Sequence, residues 1–154
     1  MGIFTSNISV IYGYGFETEY VFQKFSDFLK NHRAAFCRSE KENKLYEEFE
    51  QLSSDCNIEE FFEGYAGDVN EIEGAGSVIA NIMYRETGIR FICSLADGDC
   101  DTLEAVLFSE KYPWCFTEKE KALKENELER ICQDYMSELG IQGHPKYLAQ
   151  EYCC

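Results

Sequence analysis

Apolar residues recur at intervals of three and four positions along much of this chain, the spacing that places side chains on one face of a helix. Between residues 19 and 32 this stripe consists of Val21, Phe22, Phe25, Phe28 and Leu29. Similar spacing predicts helices over residues 40–53 and 77–87, a short helix after Asn57, and a last helix over about 118–139 that breaks near Lys124. Helices should therefore form more of the structure than strands.

Residues that favour helix ends support these boundaries. Asn57 followed by Glu60 has the layout of a capping box, and so does Thr117 followed by Glu120. Glycine after an apolar stripe is suited to end a helix in the left-handed conformation. The expected helix starts are at Thr18, Asn57, Ser77 and Thr117, and the expected ends are at Gly64, Gly88 and Gly140.

Three short runs rich in β-branched and aromatic residues predict strands. The first covers residues 8–12 and is followed by Gly13 and Gly15. The other two, residues 89–95 and 102–108, flank the polar Asp97-Gly98 pair, an arrangement typical of a β-hairpin.

These elements predict an α+β fold. We expect a small, mostly antiparallel sheet of about three strands, covered by four to five helices, in a single domain over residues 1–154. No repeat or linker divides the chain. Residues 141–154, which contain His144-Pro145, are expected to form a loosely ordered tail or a last short helix.

Negative charge is concentrated in the middle of the chain. The formal net charge is −15, yet between Lys44 and Arg85 there is no positive side chain at all. Such a localised field repels nucleic acid and anionic membranes and attracts basic surfaces. An alternative is that acidic residues only keep an aromatic-rich protein in solution. The clustering favours an interaction face over this alternative.

The partner-binding residues predicted on this basis are the acids of the stretch together with one aromatic. Phe61 and Phe62 are further candidates for apolar anchors, with packing in the core as the alternative. Tyr65, which lies between two glycines, is expected to be the more exposed aromatic. The predicted set is Glu47, Glu48, Glu50, Asp55, Glu59, Glu60, Glu63, Tyr65, Asp68, Glu71 and Glu73.

No motif in the chain predicts catalysis, a metal site or a cofactor. The segment Gly13-Tyr14-Gly15 before a helix resembles a phosphate-binding loop in layout, but Glu17 and Glu19 would repel phosphate. Asp97–Asp101 begins like a calcium loop, but its later positions lack the required glycine and glutamate. Eight cysteines occur without a C-x-x-C pair, and we expect them to be reduced thiols.

The composition favours a non-catalytic protein that docks on a basic, nucleic-acid-handling partner without binding nucleic acid or membrane itself. In size, charge and lack of motifs the chain resembles the acidic nucleic-acid mimics that phages and mobile elements use as anti-restriction or anti-CRISPR inhibitors. This resemblance is one of kind and rests on no specific residue.

Two other functions stay open. One is a small enzyme or ligand-binding domain with a pocket near Gly13–Gly15 and Gly74–Gly76. The other is a homo-oligomeric structural protein that associates through its aromatic residues. No targeting signal or long apolar run is visible, so we expect a cytoplasmic protein.

Overall fold

Five helices follow the first strand along the chain in a computed structural model, which describes residues 6–17, 19–68, 73–96, 104–109 and 125–153. The α+β class is confirmed. The described residues form four strands and six helices, so the predicted counts are not confirmed. The elements are β1 (Ser6–Glu17), α1 (Phe22–Asn31), α2 (Arg33–Phe36), α3 (Glu40–Glu50), α4 (Ile58–Phe61), α5 (Ala75–Thr87), β2 (Phe91–Ala96), β3 (Glu104–Ser109), α6 (Glu125–Glu138) and β4 (Gly143–Cys153).

The strands form one sheet in the order β2-β3-β1-β4, and all neighbouring strands are antiparallel. The hairpin prediction is confirmed, because β2 and β3 pair with Cys93 opposite Leu107. The predicted turn at Asp97-Gly98 and the segment that resembles a calcium loop lie outside the described residues.

Two sequence predictions about this sheet are wrong. Residues 143–153 form β4, whereas a loop or short helix was expected, because β1 supplies a partner for the whole length of the segment. Gly13 and Gly15 lie inside β1 and do not end it. Pro145 is tolerated because β4 is an edge strand.

Helix α5 lies at the centre of the packing. Every residue from Ala75 to Met83 is buried, which an isolated amphipathic surface helix would not show. The helix contacts β2 on one side and α2 on another. A cluster of aromatic side chains from α1, α2, α3 and the end of α4 completes this part of the core, with Phe25, Phe28, Phe36, Phe49 and Phe62 all buried.

The helix ends follow local signals in part. Asn57 caps α4 as predicted, since its side chain accepts the N–H of Glu60 at 3.2 Å. Gly88 and Gly140 have positive φ angles of 76° and 72°, as expected after helices. Gly64 does not, and α5 begins at Ala75, two residues before the predicted start at Ser77. The Thr18 and Thr117 predictions lie outside the described residues.

Within the described ranges, no helix combines the length and apolar character needed to cross a membrane. Four cysteines there, Cys37, Cys56, Cys93 and Cys132, are unbridged thiols.

Candidate functional site

Six of the predicted partner-binding carboxylates are exposed around the end of α3 and the whole of α4. We call this set the acidic face. Its members lie on the last turns of α3, in the connection to α4, and on or just after α4. They are Glu47, Glu48, Glu50, Asp55, Glu60 and Glu63.

Aromatic packing beneath the acidic face holds these elements side by side. The ring centroid of Phe49 on α3 lies 5.6 Å from those of both Phe61 and Phe62 at α4. Phe22 at the start of α1 stacks on the other side of this group, 5.3 Å from Phe49. The elements that carry these charges are therefore packed on one aromatic cluster.

The charges at the two ends of α3 act oppositely on the helix dipole, because Glu40 and Glu42 in the first turn are favourable and the acids at the C-terminal end are not. Acidic residues occupy its last turns, and no basic residue lies in the last turn. Negative charge near a helix C-terminus is unfavourable, by about 0.3–1 kcal/mol per charge at low salt. The acidic end of α3 therefore does not serve the stability of the helix itself.

Tyr65, predicted to be exposed and partner-binding, is in fact buried. Its hydroxyl donates to Glu42 Oε2 at 2.7 Å and accepts from Asn81 Nδ2 at 2.9 Å. Burial raises the pKa of Tyr65, and the hydrogen bond to Glu42 raises it further. Phe62 is buried and Phe61 is half-buried, so these aromatics serve the core.

Arg85, the first cation after the acidic stretch, is the centre of this buried arrangement. Its Nη1 donates to Glu42 Oε2 at 2.8 Å and to the carbonyl oxygens of Ala35 and Phe36. Its Nε donates to Asp68 at 3.2 Å. Asp68 is thus engaged within the protein, although it is half exposed. Glu42, Tyr65, Asp68, Asn81 and Arg85 thus form one polar cluster.

Glu59 also differs from the prediction, because it is half-buried against the start of α5. Its carboxylate accepts the N–H of Ala75, and burial raises its pKa. Gly74 allows this approach, since a Cβ there would lie 2.8 Å from Glu59 Oε2 and its φ is 127°. The cap of α5 thus comes from α4, a contact that no local pattern predicts. Glu73 is exposed, and Glu71 lies outside the described residues.

An acidic cavity of about 510 Å³ opens beside Glu59, between the segment before α1 and the segment before α4. Among the residues that the structure describes, the carboxylates of Glu19, Asp55 and Glu59 line it. The Ser53 hydroxyl donates to Asp55 and lowers the pKa of that carboxyl. Cys56 also lines the cavity, but burial raises the pKa of its thiol, which does not favour a nucleophile.

A second polar cluster, which sequence reasoning missed, joins α1, α5 and α6. His32 Nδ1 lies 2.7 Å from Glu86, and His32 Nε2 lies 2.8 Å from Glu138. Tyr135 donates to the other oxygen of Glu86. Burial alone lowers the pKa of His32, but the two carboxylates outweigh burial and raise it.

Neither polar cluster has the arrangement of a metal centre. Nowhere in the described ranges do three His, Cys, Asp or Glu side chains come together as a metal-binding group. The phosphate-loop layout of Gly13-Tyr14-Gly15 is not realised either, because these residues lie in a strand ladder opposite His144 and Lys146.

The acidic face and the acidic cavity are therefore the candidate binding surfaces of the described residues. Comparison with protein-family models, with curated protein sequences and with solved structures finds no match to this chain.

Proposed function

We propose that the protein is a non-catalytic interaction protein that docks on a basic protein surface through the acidic face. The observation that carries this proposal is the set of six exposed carboxylates on elements held together by one aromatic cluster. The stretch from 45 to 84 contains no Lys or Arg that would reduce their field.

Electrostatic attraction must supply much of the binding in this proposal. Phe62 and Tyr65 are buried and cannot anchor a partner without unfolding. A single exposed ion pair contributes only about 0.2–1 kcal/mol. Several pairs acting together give useful affinity, and the field of the face also raises the rate of encounter.

The partner that best fits such a face is a protein that binds nucleic acid. Its phosphate-binding surface is a cluster of Lys and Arg side chains, which a row of carboxylates can occupy in place of phosphates. The protein would then act as an inhibitor of the nucleic-acid mimic kind, such as an anti-restriction or anti-CRISPR protein. A cytoplasmic location belongs to the same proposal.

The test is to capture a partner on the immobilised protein and measure its affinity as a function of salt. We expect the dissociation constant to rise steeply between about 50 and 500 mM salt, because exposed charges are screened over that range. A partner whose affinity is the same at both ends of the range would overturn the proposal.

A further inference from the structure

Val21 is the one large hydrophobic side chain that is exposed among the described residues, with 56 % of its surface accessible. The next residue, Phe22, is half-buried at the start of α1, and its ring stacks on that of Phe49 at 5.3 Å. Leu52, whose N–H donates to the carbonyl oxygen of Phe49, is also half-buried against the core. Val21, Phe22 and Leu52 therefore lie at the margin of the aromatic cluster beneath the acidic face, and we call them the apolar border.

The stability of α1 does not explain the valine at position 21. Val21 is the N-cap of this helix, and its side chain makes no capping hydrogen bond. Valine is among the least favourable residues at an N-cap, where Ser, Thr, Asp or Asn would accept an N–H of the first turn. Its exposure also forgoes the gain from burying an apolar side chain. Val21 is thus unfavourable in two respects, and such departures from local rules are expected at functional sites.

The charges next to the apolar border are mostly negative. Glu48 and Glu50 flank Phe49 in α3, and both are exposed. Lys24 is the cation nearest to the border along α1, and it packs against Gly140, with its Cγ 3.3 Å from the place where a Cβ of Gly140 would lie. A ligand that covers the apolar border should therefore combine apolar surface with positive charge.

An apolar contact would supply what the acidic face lacks. Exposed ion pairs contribute little affinity each, and they tolerate many arrangements of the two surfaces. In most protein interfaces a few residues that lose their contact with water provide most of the affinity, while polar residues around them exclude solvent. The apolar border and the carboxylates beside it have this layout.

We infer that the apolar border is the hydrophobic anchor of the docking surface and binds an aliphatic side chain that lies between Lys or Arg residues of the partner. The aliphatic group covers Val21 and the accessible parts of Phe22 and Leu52. The basic residues beside it pair with Glu48 and Glu50. The inference rests on the proposed function, since it names the apolar contact of the same docking surface.

The test is an NMR titration of the ¹⁵N-labelled protein with two basic peptides of equal charge. One is acetyl-Lys-Arg-Leu-Leu-Arg-Lys-amide, and in the other two serines replace the leucines. We expect the leucine peptide to shift the amide signals of residues 21–22 and 52. It should bind about three- to tenfold more tightly than the serine peptide, because it covers the exposed part of Val21. Equal affinities of the two peptides would overturn the inference.

Two substitutions of Val21 locate the contact. Val21→Thr keeps the β-branched shape, removes apolar surface and provides a better N-cap. We expect its urea midpoint to rise, while its preference for the leucine peptide falls below about twofold. Val21→Ile keeps an apolar side chain and should keep the preference. An undiminished preference in Val21→Thr, or a lower urea midpoint that shows a structural need for valine, would refute the assignment, and so would loss of the preference in Val21→Ile.

The serine peptide separates this inference from the proposed function. It can bind through charge alone, so its release between about 50 and 500 mM salt reports on the acidic face. If both peptides bind equally and are released by salt, the acidic face stands and the apolar border is wrong. If neither peptide binds at low salt, the acidic face and the apolar border are both contradicted.

Discussion

At the scale of single residues, Arg85 connects α5 to Glu42 of α3 and to Asp68 of the acidic stretch. It is the counter-charge of Glu42, a carboxylate with only 4 % of its surface exposed. Removing one partner of a buried ion pair leaves a charge without compensation, which costs far more than the pair contributes. Arg85 is therefore a structural residue, although it borders the stretch that suggested an interaction face.

We predict that Arg85→Met lowers the free energy of unfolding by about 3–5 kcal/mol, because Glu42 stays buried without its partner. The control Lys44→Met removes an exposed cation and should change it by less than about 0.5 kcal/mol. Urea unfolding measures both. Adding Glu42→Gln to Arg85→Met should recover part of the loss, because the uncompensated charge disappears. An Arg85→Met protein as stable as the Lys44→Met protein would contradict this account.

At the scale of elements, His32 at the end of α1 contacts side chains of both α5 and α6. The ring lies between Glu86 of α5 and Glu138 of α6, while Asn31 holds the second oxygen of Glu138 at 3.0 Å. With a proton on each nitrogen, the imidazolium donates to both carboxylates. The contact between α1, α5 and α6 is consequently strongest when His32 is charged.

This arrangement predicts a pH dependence of stability. The folded-state pKa of His32 is raised, so its contribution is fully present below the unfolded pKa of about 6.5 and is lost as pH rises through the folded value. We expect the free energy of unfolding to fall by on the order of 1–2 kcal/mol between about pH 6 and pH 9. Thermal or urea unfolding across this range measures it. In His32→Gln the same range should show little slope, and an unchanged slope would refute the assignment.

At the scale of the whole molecule, the sequence predicts those structural features that depend on residues close to one another along the chain. The hairpin strands, the Asn57 cap and the glycines after α5 and α6 follow from local pattern and backbone preference. The features it missed all depend on residues distant along the chain. β4 needs β1 as its partner, α5 needs Glu59 as its cap, and Tyr65 is buried because Glu42 and Asn81 receive its hydroxyl.

The acidic stretch illustrates the same division. Its charge is visible in the sequence, and six of its carboxylates are exposed on α3, on α4 and in the segments next to α4. The sequence does not show which acids form contacts within the protein. Glu59 accepts the N–H of Ala75 at the start of α5, and Asp68 accepts a hydrogen bond from Arg85.

The central claim, docking through the acidic face, is tested most directly by two variants of equal charge. One carries Glu48→Gln, Glu60→Gln and Glu63→Gln on the face. The other carries Asp27→Asn, Glu40→Gln and Asp134→Asn at exposed positions outside it. Each removes three charges from the formal −15, so each has a formal charge of −12. Urea unfolding should show that both are folded.

The measurement is the dissociation constant of each variant for the captured partner at one fixed, low salt concentration. We predict that the face variant binds at least about tenfold more weakly than the unmodified protein, because it loses three exposed ion pairs. The second variant should lose less than about threefold, because only the long-range field changes. Equal losses in the two variants, or no loss in the face variant, would contradict docking through the acidic face.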